Sequence, residues 1–576
     1  MQERKISRRE FITIAGGVTG IAALSSLGLF GGWGENRPES SLKNTTRKIK
    51  TCDVLVIGGG MAALFAAVKA HDAGAKVIVV SKGRLGSSGA TPFAKGFFVY
   101  DPKTAKYSLD EFVELVGRSA IDTNNPAYTR QMAEHSKACA EELREWGFFN
   151  SVLYDKPFRK PIDQRGIPVV ERVMITHLIK ENNRAVGAAG FSIDEPRAYF
   201  FNAKAVILCT GAGGFKPNGF PIRDLTHDGT AAAYRIGAKI TGKEWNDGHW
   251  TRADYPAACF NSWGDMFTRK PGITGVEIHH DLGVELNYLA YVKGNPVKMG
   301  PPGNIEAMNI KDGPYRPPEF NRRFPERKPA RPDRERGHRP RKGEGPPPGG
   351  GGSIMGGASA GMSIHKAEGL VPIDDRCASN IPGLYAAGDA LGSHMSGGIY
   401  TQIGSSLAGS AVQGAIAGKA AAEYAAKNQL ISIPKNKIKK IENEIFAPLR
   451  RDAGYGPSWV TQTLKSIMIP NFVLYIKKES ILKAALAYVE ELRDHHLPML
   501  RAADLHELRL AHETMNMVLN AEMKLRASLM RTESRCSHYR LDYPKPDFEN
   551  WQAWINIYKG KDGSMKLEKQ PFSTWR

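Results

Sequence analysis

Three consecutive glycines, Gly58-Gly59-Gly60, stand between the apolar run Asp53–Ile57 and a stretch of helical character, Met61–Ala73. With Ala63 the spacing is G-x-G-x-x-A. Glycines permit a tight turn and a close backbone approach, and the first turn of a helix offers unpaired N–H groups to an anion. The spacing therefore suits the pyrophosphate of a dinucleotide. A second apolar run, Lys76–Val80, ends at Ser81-Lys82. Nicotinamide dinucleotide sites usually place an acid here to accept from the ribose hydroxyls. Ser81 can hydrogen-bond there without a negative charge, which argues against NAD.

These residues need elements to hold them. Asp53–Ile57 is a short continuous apolar run, as in a buried parallel strand, and the glycines connect it to a helix. Ala203–Thr210 reads as a further strand, running into Gly211-Ala212-Gly213-Gly214. Asn380–Asp389 reads as a strand ending in Gly388-Asp389. Gly404 precedes a helix of small residues beginning Ser405-Ser406-Leu407, whose N-terminus can face an electron-rich group.

In this order the pieces resemble the flavoprotein subunits of the fumarate reductase/succinate dehydrogenase family, with some features of adenylylsulfate reductase alpha subunits. Thr226-His227-Asp228-Gly229-Thr230 is similar to the family's T-x-D-G segment, and Arg531–Asp542 is similar to its R-x-E-S-R-G-x-H-x-R-x-D signature, with Cys536 in place of glycine. The resemblance implies an α/β fold: a Rossmann-like FAD-binding domain with an inserted capping domain and a helical C-terminal domain. It places a signal segment at 1–30, a polar linker at 31–50, and the FAD-binding domain at 51–245 and 353–428. An atypical capping region follows from this at 246–352, and a helical domain with a tail at 429–576.

The same resemblance implies that Gly58, Gly60, Ala63, Ser81, Lys82, Ser88, Gly89, Ala90, Gly211, Asp228, Asp389, Ser405, Ser406 and Leu407 hold FAD. Asp389 would meet the ribityl chain. The respiratory enzymes attach FAD through a histidine in R-S-H-T. Gly89 stands at that point here, so the flavin is expected to be noncovalent.

Reduction of an activated C=C bond needs hydride, cations on a substrate carboxylate and a proton donor at the other carbon. His249 matches the family's substrate-binding histidine by its offset after Gly237–Ile240, and His394 matches the histidine that follows the Gly-Asp strand. Arg252 is a candidate proton donor, with Arg269 and Arg316 as alternatives. The family's clamp arginine has no counterpart: the corresponding stretch is Gly398–Gln402. An incomplete clamp argues against fumarate itself as the substrate.

The N-terminus reads Ser7-Arg8-Arg9-Glu10-Phe11-Ile12, then an apolar, glycine-rich run to about Leu29. This resembles a twin-arginine export signal and predicts a periplasmic or otherwise extracytoplasmic protein. The run is also nearly long enough to serve as an uncleaved membrane anchor. The formal net charge is +20. Eleven Lys/Arg stand against four Asp/Glu between Arg316 and Lys342, within a Pro/Arg/Gly-rich tract at Pro317–Gly352. That tract has too few apolar residues for a core. No nucleic-acid motif accompanies the charge.

The six cysteines form no C-x-x-C pair, and no metal-ligand spacing occurs, so no Fe–S cluster or c-type haem is expected in the chain. An Fe–S or cytochrome electron-transfer partner is therefore implied. The leading expectation is an FAD-dependent reductase of an unsaturated or oxidised small molecule. A dehydrogenase or adenylylsulfate-reductase-like alpha subunit, and a flavin-bearing assembly subunit without catalysis, fit the same residues.

Overall fold

The computed structural model describes residues 45–216, 222–247, 252–253, 267–281, 283–294, 313–320, 354–355 and 366–576. The chain divides into Met1–Thr45 and Thr46–Arg576, and every element below belongs to the second unit. The twin-arginine stretch and most of the Pro/Arg/Gly-rich tract lie outside the described residues.

Strand β1 runs over Thr46–Ile57. It leads through the glycine turn into helix α1, Met61–Asp72, and then strand β2, Val77–Val80. The polar residues 46–50, expected as linker, instead form the first part of β1. They pair in parallel with a distant strand, so main-chain hydrogen bonding outweighs their polarity. The sheet continues with β3 (Val169–Val170), β4 (Val173–Glu181), β5 (Arg184–Ser192) and β6 (Arg197–Leu208). Helix α2 follows at Asp228–Arg235, then the short strands β7 (Ile240–Thr241) and β8 (Gly369–Leu370). Strand β9 spans Leu384–Ala386, and helix α3 spans Ser405–Lys427.

The main sheet is ordered β3-β2-β1-β6-β5-β4, with β9 also on β6. The nucleotide-binding half, β3-β2-β1-β6 and β9, is parallel, whereas β4-β5-β6 is antiparallel. Parallel strands buried on both faces explain why Val54–Ile57, Val77–Val80 and Ala205–Leu208 are continuously apolar rather than alternating.

One face is covered by α1 and α3, and their sequences explain how closely they pack. A Cβ added at Gly414 would lie 2.4 Å from the Ala62 carbonyl oxygen, and one at Gly418 would lie 2.5 Å from that of Ala66. Two glycines one helical turn apart thus let α3 rest on the backbone of α1, holding both helix N-termini against the strand ends.

The C-terminal region carries helices Lys435–Phe446, Pro457–Met468 and Glu479–Glu491 and the long helix α4, Leu505–Met530. The apolar faces of the last three share a core that includes Val460, Leu464, Leu482, Val489, Val518 and Leu525. The expected tail is a correction. Residues Ala553–Lys559 (β10) and Met565–Pro571 (β11) form a hairpin, joined to the FAD-binding part in a sheet ordered β8-β7-β10-β11. Of the insertion, Gly272–Thr274 pairs in parallel with Gly96–Phe98, and Gly283–Tyr291 is a helix. Among the described residues, no helix is long and apolar enough to cross a membrane.

The α1–α3 contact is a packing limit that can be tested. Gly418→Leu inserts a side chain where backbone already sits and should cost about 1–3 kcal/mol or more. A thermal melt of the variant should show a clearly lower midpoint, while Leu at the exposed Lys419 should leave it nearly unchanged.

Candidate cofactor and active site

The turn after β1 meets the sheet too closely for any side chain. Gly58 has φ +138°, and a Cβ there would lie 2.1 Å from the Cys209 carbonyl oxygen. Gly60 caps α1 without a side-chain hydrogen bond, so the first-turn N–H groups stay open toward an anion. One of them, Met61 N, donates to Thr91 Oγ1 at 3.1 Å.

These residues line a trough of about 820 Å3 that opens to solvent. Of the predicted cofactor residues, the structure brings together Gly58, Gly60, Ser81, Lys82, Ser88, Gly89, Ala90, Gly211, Asp228 and Asp389 along its walls. Asp224, Thr210 and Gly388 join them. The Thr210 hydroxyl is buried and has no hydrogen-bond partner among the described residues, which suits a group that meets a ligand. The glycine-rich approach, the open helix end, the carboxylate at the far wall and this orphaned hydroxyl together fit FAD.

Four predicted cofactor residues do not line the trough. Ala63 is fully buried within α1 against the core. Ser405 donates from Oγ to the Gln402 carbonyl, and Leu407 packs into the core, so neither side chain is presented to a ligand. The Ser406 carbonyl accepts from Lys366 Nζ at 2.6 Å.

Lys82 has a role its sequence position did not reveal. Its ammonium donates to Asp228 at 2.6 Å, to Thr226 Oγ1 at 3.1 Å and to Glu513 of α4 at 2.9 Å. Burial pushes this ammonium down, but Asp228, Glu513 and Asp224 outweigh it and hold Lys82 above its ordinary range. Glu513 is fully buried and also takes Lys216 at 2.5 Å and Arg509 at 2.8 Å. Burial pushes its carboxyl up, yet Lys82, Lys216 and Arg509 together bring it down to about 2.

The predicted catalytic groups fare differently. His249 lies outside the described residues. Arg252 begins a two-residue strand paired with Ile354–Met355, and its side chain is likewise not described. The alternative Arg316 is engaged by Glu285 at 2.8 Å, and Arg269 is exposed. His394 stands apart from the cofactor trough. It does not line the trough; it lines a small separate cavity with Asn125, Thr241, Gln570 and Trp575. Its ring lies 5.1 Å from that of Trp554, and Nδ1 sits 3.0 Å from the Gly392 carbonyl oxygen. Burial drives its pKa down to about 3, so the imidazole is neutral and cannot supply a cation to a carboxylate.

The Arg531–Asp542 signature is a buried clasp. Arg531 donates to Glu244 at 3.0 Å, to Glu533 at 2.7 Å and to the Ala553 carbonyl at 2.7 Å. Arg535 binds Glu533 and the Ile121 carbonyl, while Arg540 binds Asp542 and the Ser528 carbonyl. Cys536 is left-handed (φ +52°), as its glycine counterpart would allow, and its thiol lies 2.9 Å from the Ala120 carbonyl oxygen. The five described cysteines are all free and buried. Among the described residues, no group of His, Cys, Asp and Glu is arranged to hold a metal ion.

Comparison with known proteins matches the same two regions. The family described as "FAD binding domain" matches residues 53–159, and "Fumarate reductase flavoprotein C-term" matches 461–575. An uncharacterized FAD-dependent oxidoreductase of Methanocaldococcus jannaschii is 26% identical over 91% of this chain and 99% of its own. One of the chains of the fumarate reductase (CoM/CoB) of Methanothermobacter marburgensis is 25% identical over 86% of this chain and 95% of its own. Among solved structures, Archaeoglobus fulgidus adenylylsulfate reductase superimposes with a TM-score of 0.69 at 19% identity, covering 92% of this chain and 97% of that one. The FrdA chain of E. coli quinol fumarate reductase gives 0.68 at 16%, covering 91% and 97%. These two likenesses concern the fold.

The Glu513 cluster makes a pH prediction. Its folded pKa lies below the unfolded value of about 4.3. Its contribution is therefore complete above that value and is lost as pH falls toward about 2. Glu513→Gln should destabilise the protein at pH 7 by about 3–5 kcal/mol, because Lys216 and Arg509 lose this carboxylate and Lys82 is left with Asp228. Thermal midpoints from pH 7 to 2 should show the gap between variant and parent narrowing below pH 4.

Proposed function

We propose that the chain, an FAD-dependent oxidoreductase similar to the fumarate reductase flavoproteins, reduces an unsaturated or oxidised small molecule outside the cytoplasm. Electrons would come from a separate Fe–S or cytochrome protein, since no cysteine pair in the chain has the spacing of a cluster or haem site. The observation that carries the reading is the trough itself: ten residues expected from the family's FAD site line one cavity.

The bound flavin supplies hydride chemistry. This chain's residues do the rest. Gly58 and Gly60 admit the pyrophosphate, and the N-terminus of α1 complements its charge. Asp389 would accept from the ribityl hydroxyls. Gly89 offers no side chain for a covalent bond, which supports noncovalent FAD.

Where the family's clamp arginine would stand, the chain has Gly398–Gln402. Thr401 Oγ1 and Gln402 Nε2 are buried polar atoms without partners among the described residues. Ser396 donates to Gln402 Oε1 at 3.0 Å, which fixes that amide with its NH2 free to donate. Two neutral groups and the neutral His394 suit a substrate with hydrogen-bonding groups better than a dicarboxylate, which needs cations. A second reading, an adenylylsulfate-reductase-like alpha subunit, is favoured by Ser88-Gly89-Ala90 and by the absent arginine.

Two experiments test this. With reduced viologen as donor, the purified protein should turn over members of a panel of enoates, with fumarate among the poorest. Activity on adenylylsulfate alone would favour the second reading, and silence across the panel would overturn both. The same preparation, precipitated with acid, should release all flavin and leave a colourless pellet. For the location, replacing Arg8 and Arg9 with Lys should strand flavin-loaded protein in the cytoplasm; unchanged fractionation would defeat the export proposal.

A further inference from the structure

Lys366 lies three residues before strand β8. It is a lysine with left-handed backbone (φ +59°), a conformation that costs energy for a residue bearing a side chain. Its side chain has no solvent exposure. The ammonium donates to Asp389 Oδ1 at 2.8 Å and to the Ser406 carbonyl, in the first turn of α3, at 2.6 Å. Its own carbonyl accepts from His394 N at 2.6 Å. Two residues on, Glu368 is held by Lys243 and by Lys524 of α4. The segment is therefore anchored at the lysine's own carbonyl and again at Glu368, which accounts for the retained strain.

Asp389 lines the trough, and Lys366 does not. A half-enclosed carboxylate beside a cofactor that carries two phosphates, and gains negative charge when reduced, faces repulsion in a medium that screens poorly. A buried ammonium bonded to the same carboxylate balances that charge and fixes its rotamer. It also adds positive charge at the N-terminus of α3, where the helix dipole has the same sign.

We propose that Lys366 is a positioning residue for the cofactor: acting through Asp389, it sets both the affinity for FAD and the reduction potential of the bound flavin. This rests on FAD occupying the trough and not on the identity of the substrate.

The test uses the full-length protein without substrate, so its outcome is independent of turnover on any enoate. The readouts are the FAD dissociation constant of reconstituted apoprotein and the flavin potential from a dye-coupled titration. In Lys366→Met, oxidised FAD should bind at least tenfold more weakly. Reduced FAD should lose a further tenfold, which for a two-electron couple is a shift of about 30 mV to more negative potential. Asp389→Asn leaves the lysine charge unbalanced and should move the potential in the opposite, positive direction. In the double variant the effect of Lys366→Met on affinity should largely vanish. Unchanged affinity and potential in Lys366→Met, a shift of both single variants in one direction, or a full lysine effect on the Asp389→Asn background would each overturn the proposal. Should Lys366→Met fail to fold, Asp389→Asn decides alone: a positive shift supports the proposal, and a negative or absent shift overturns it.

Discussion

Charges taken out of water must be paired, and this molecule is organised around that requirement. Helix α4 and the signature strand bring Glu513, Lys524, Arg531 and Glu533 into the interior, where each meets a charge from the FAD-binding part or from its own signature. Glu368 shows the balance. Burial pushes its carboxyl up, but Lys243, Lys524 and His227 outweigh that and bring it down to about 2. Lys243 is driven the other way, down to about 8, because burial outweighs the pull of Glu368. Such networks contribute little net energy compared with an apolar core, but removing one member strands the rest. They therefore specify one way of docking the C-terminal region, and that docking fixes Lys82 at the trough wall through Glu513.

The nucleotide-binding half was legible in the sequence because its signals are local. An apolar run, three glycines and a helix fix a turn within a few residues, and the glycines at 58 and 60 stand where side chains would collide. The same holds for Asp389, which follows directly from strand β9. Boundaries were less legible: β1 starts earlier than its apolar half suggests, because residues 46–50 are held by pairing and not by burial.

The remainder depends on partners far apart in the chain. Lys82 and Glu513 are 431 positions apart, and no periodicity links them. Lys366 carries no local pattern at all. His394 shows how surroundings modify a residue type placed by motif: its ring is buried beside Trp554, and its Nε2 has no hydrogen-bond partner among the described residues. The signature Arg531–Asp542, read as a family marker, proves to be the clasp that fastens the C-terminal hairpin to the FAD-binding part.

The walls of the trough come from residues as distant as Ile57 and Ser410, and its Lys82 is completed from α4. Before α4 is made, Lys82 has only Asp228 and Thr226 among these partners, so the fully held site forms late in biosynthesis. A ligand that binds only the folded state raises its population by mass action. The supply of flavin in the cell then becomes a quality-control signal. When it runs short, the expected result is degradation of the polypeptide instead of a stock of empty enzyme.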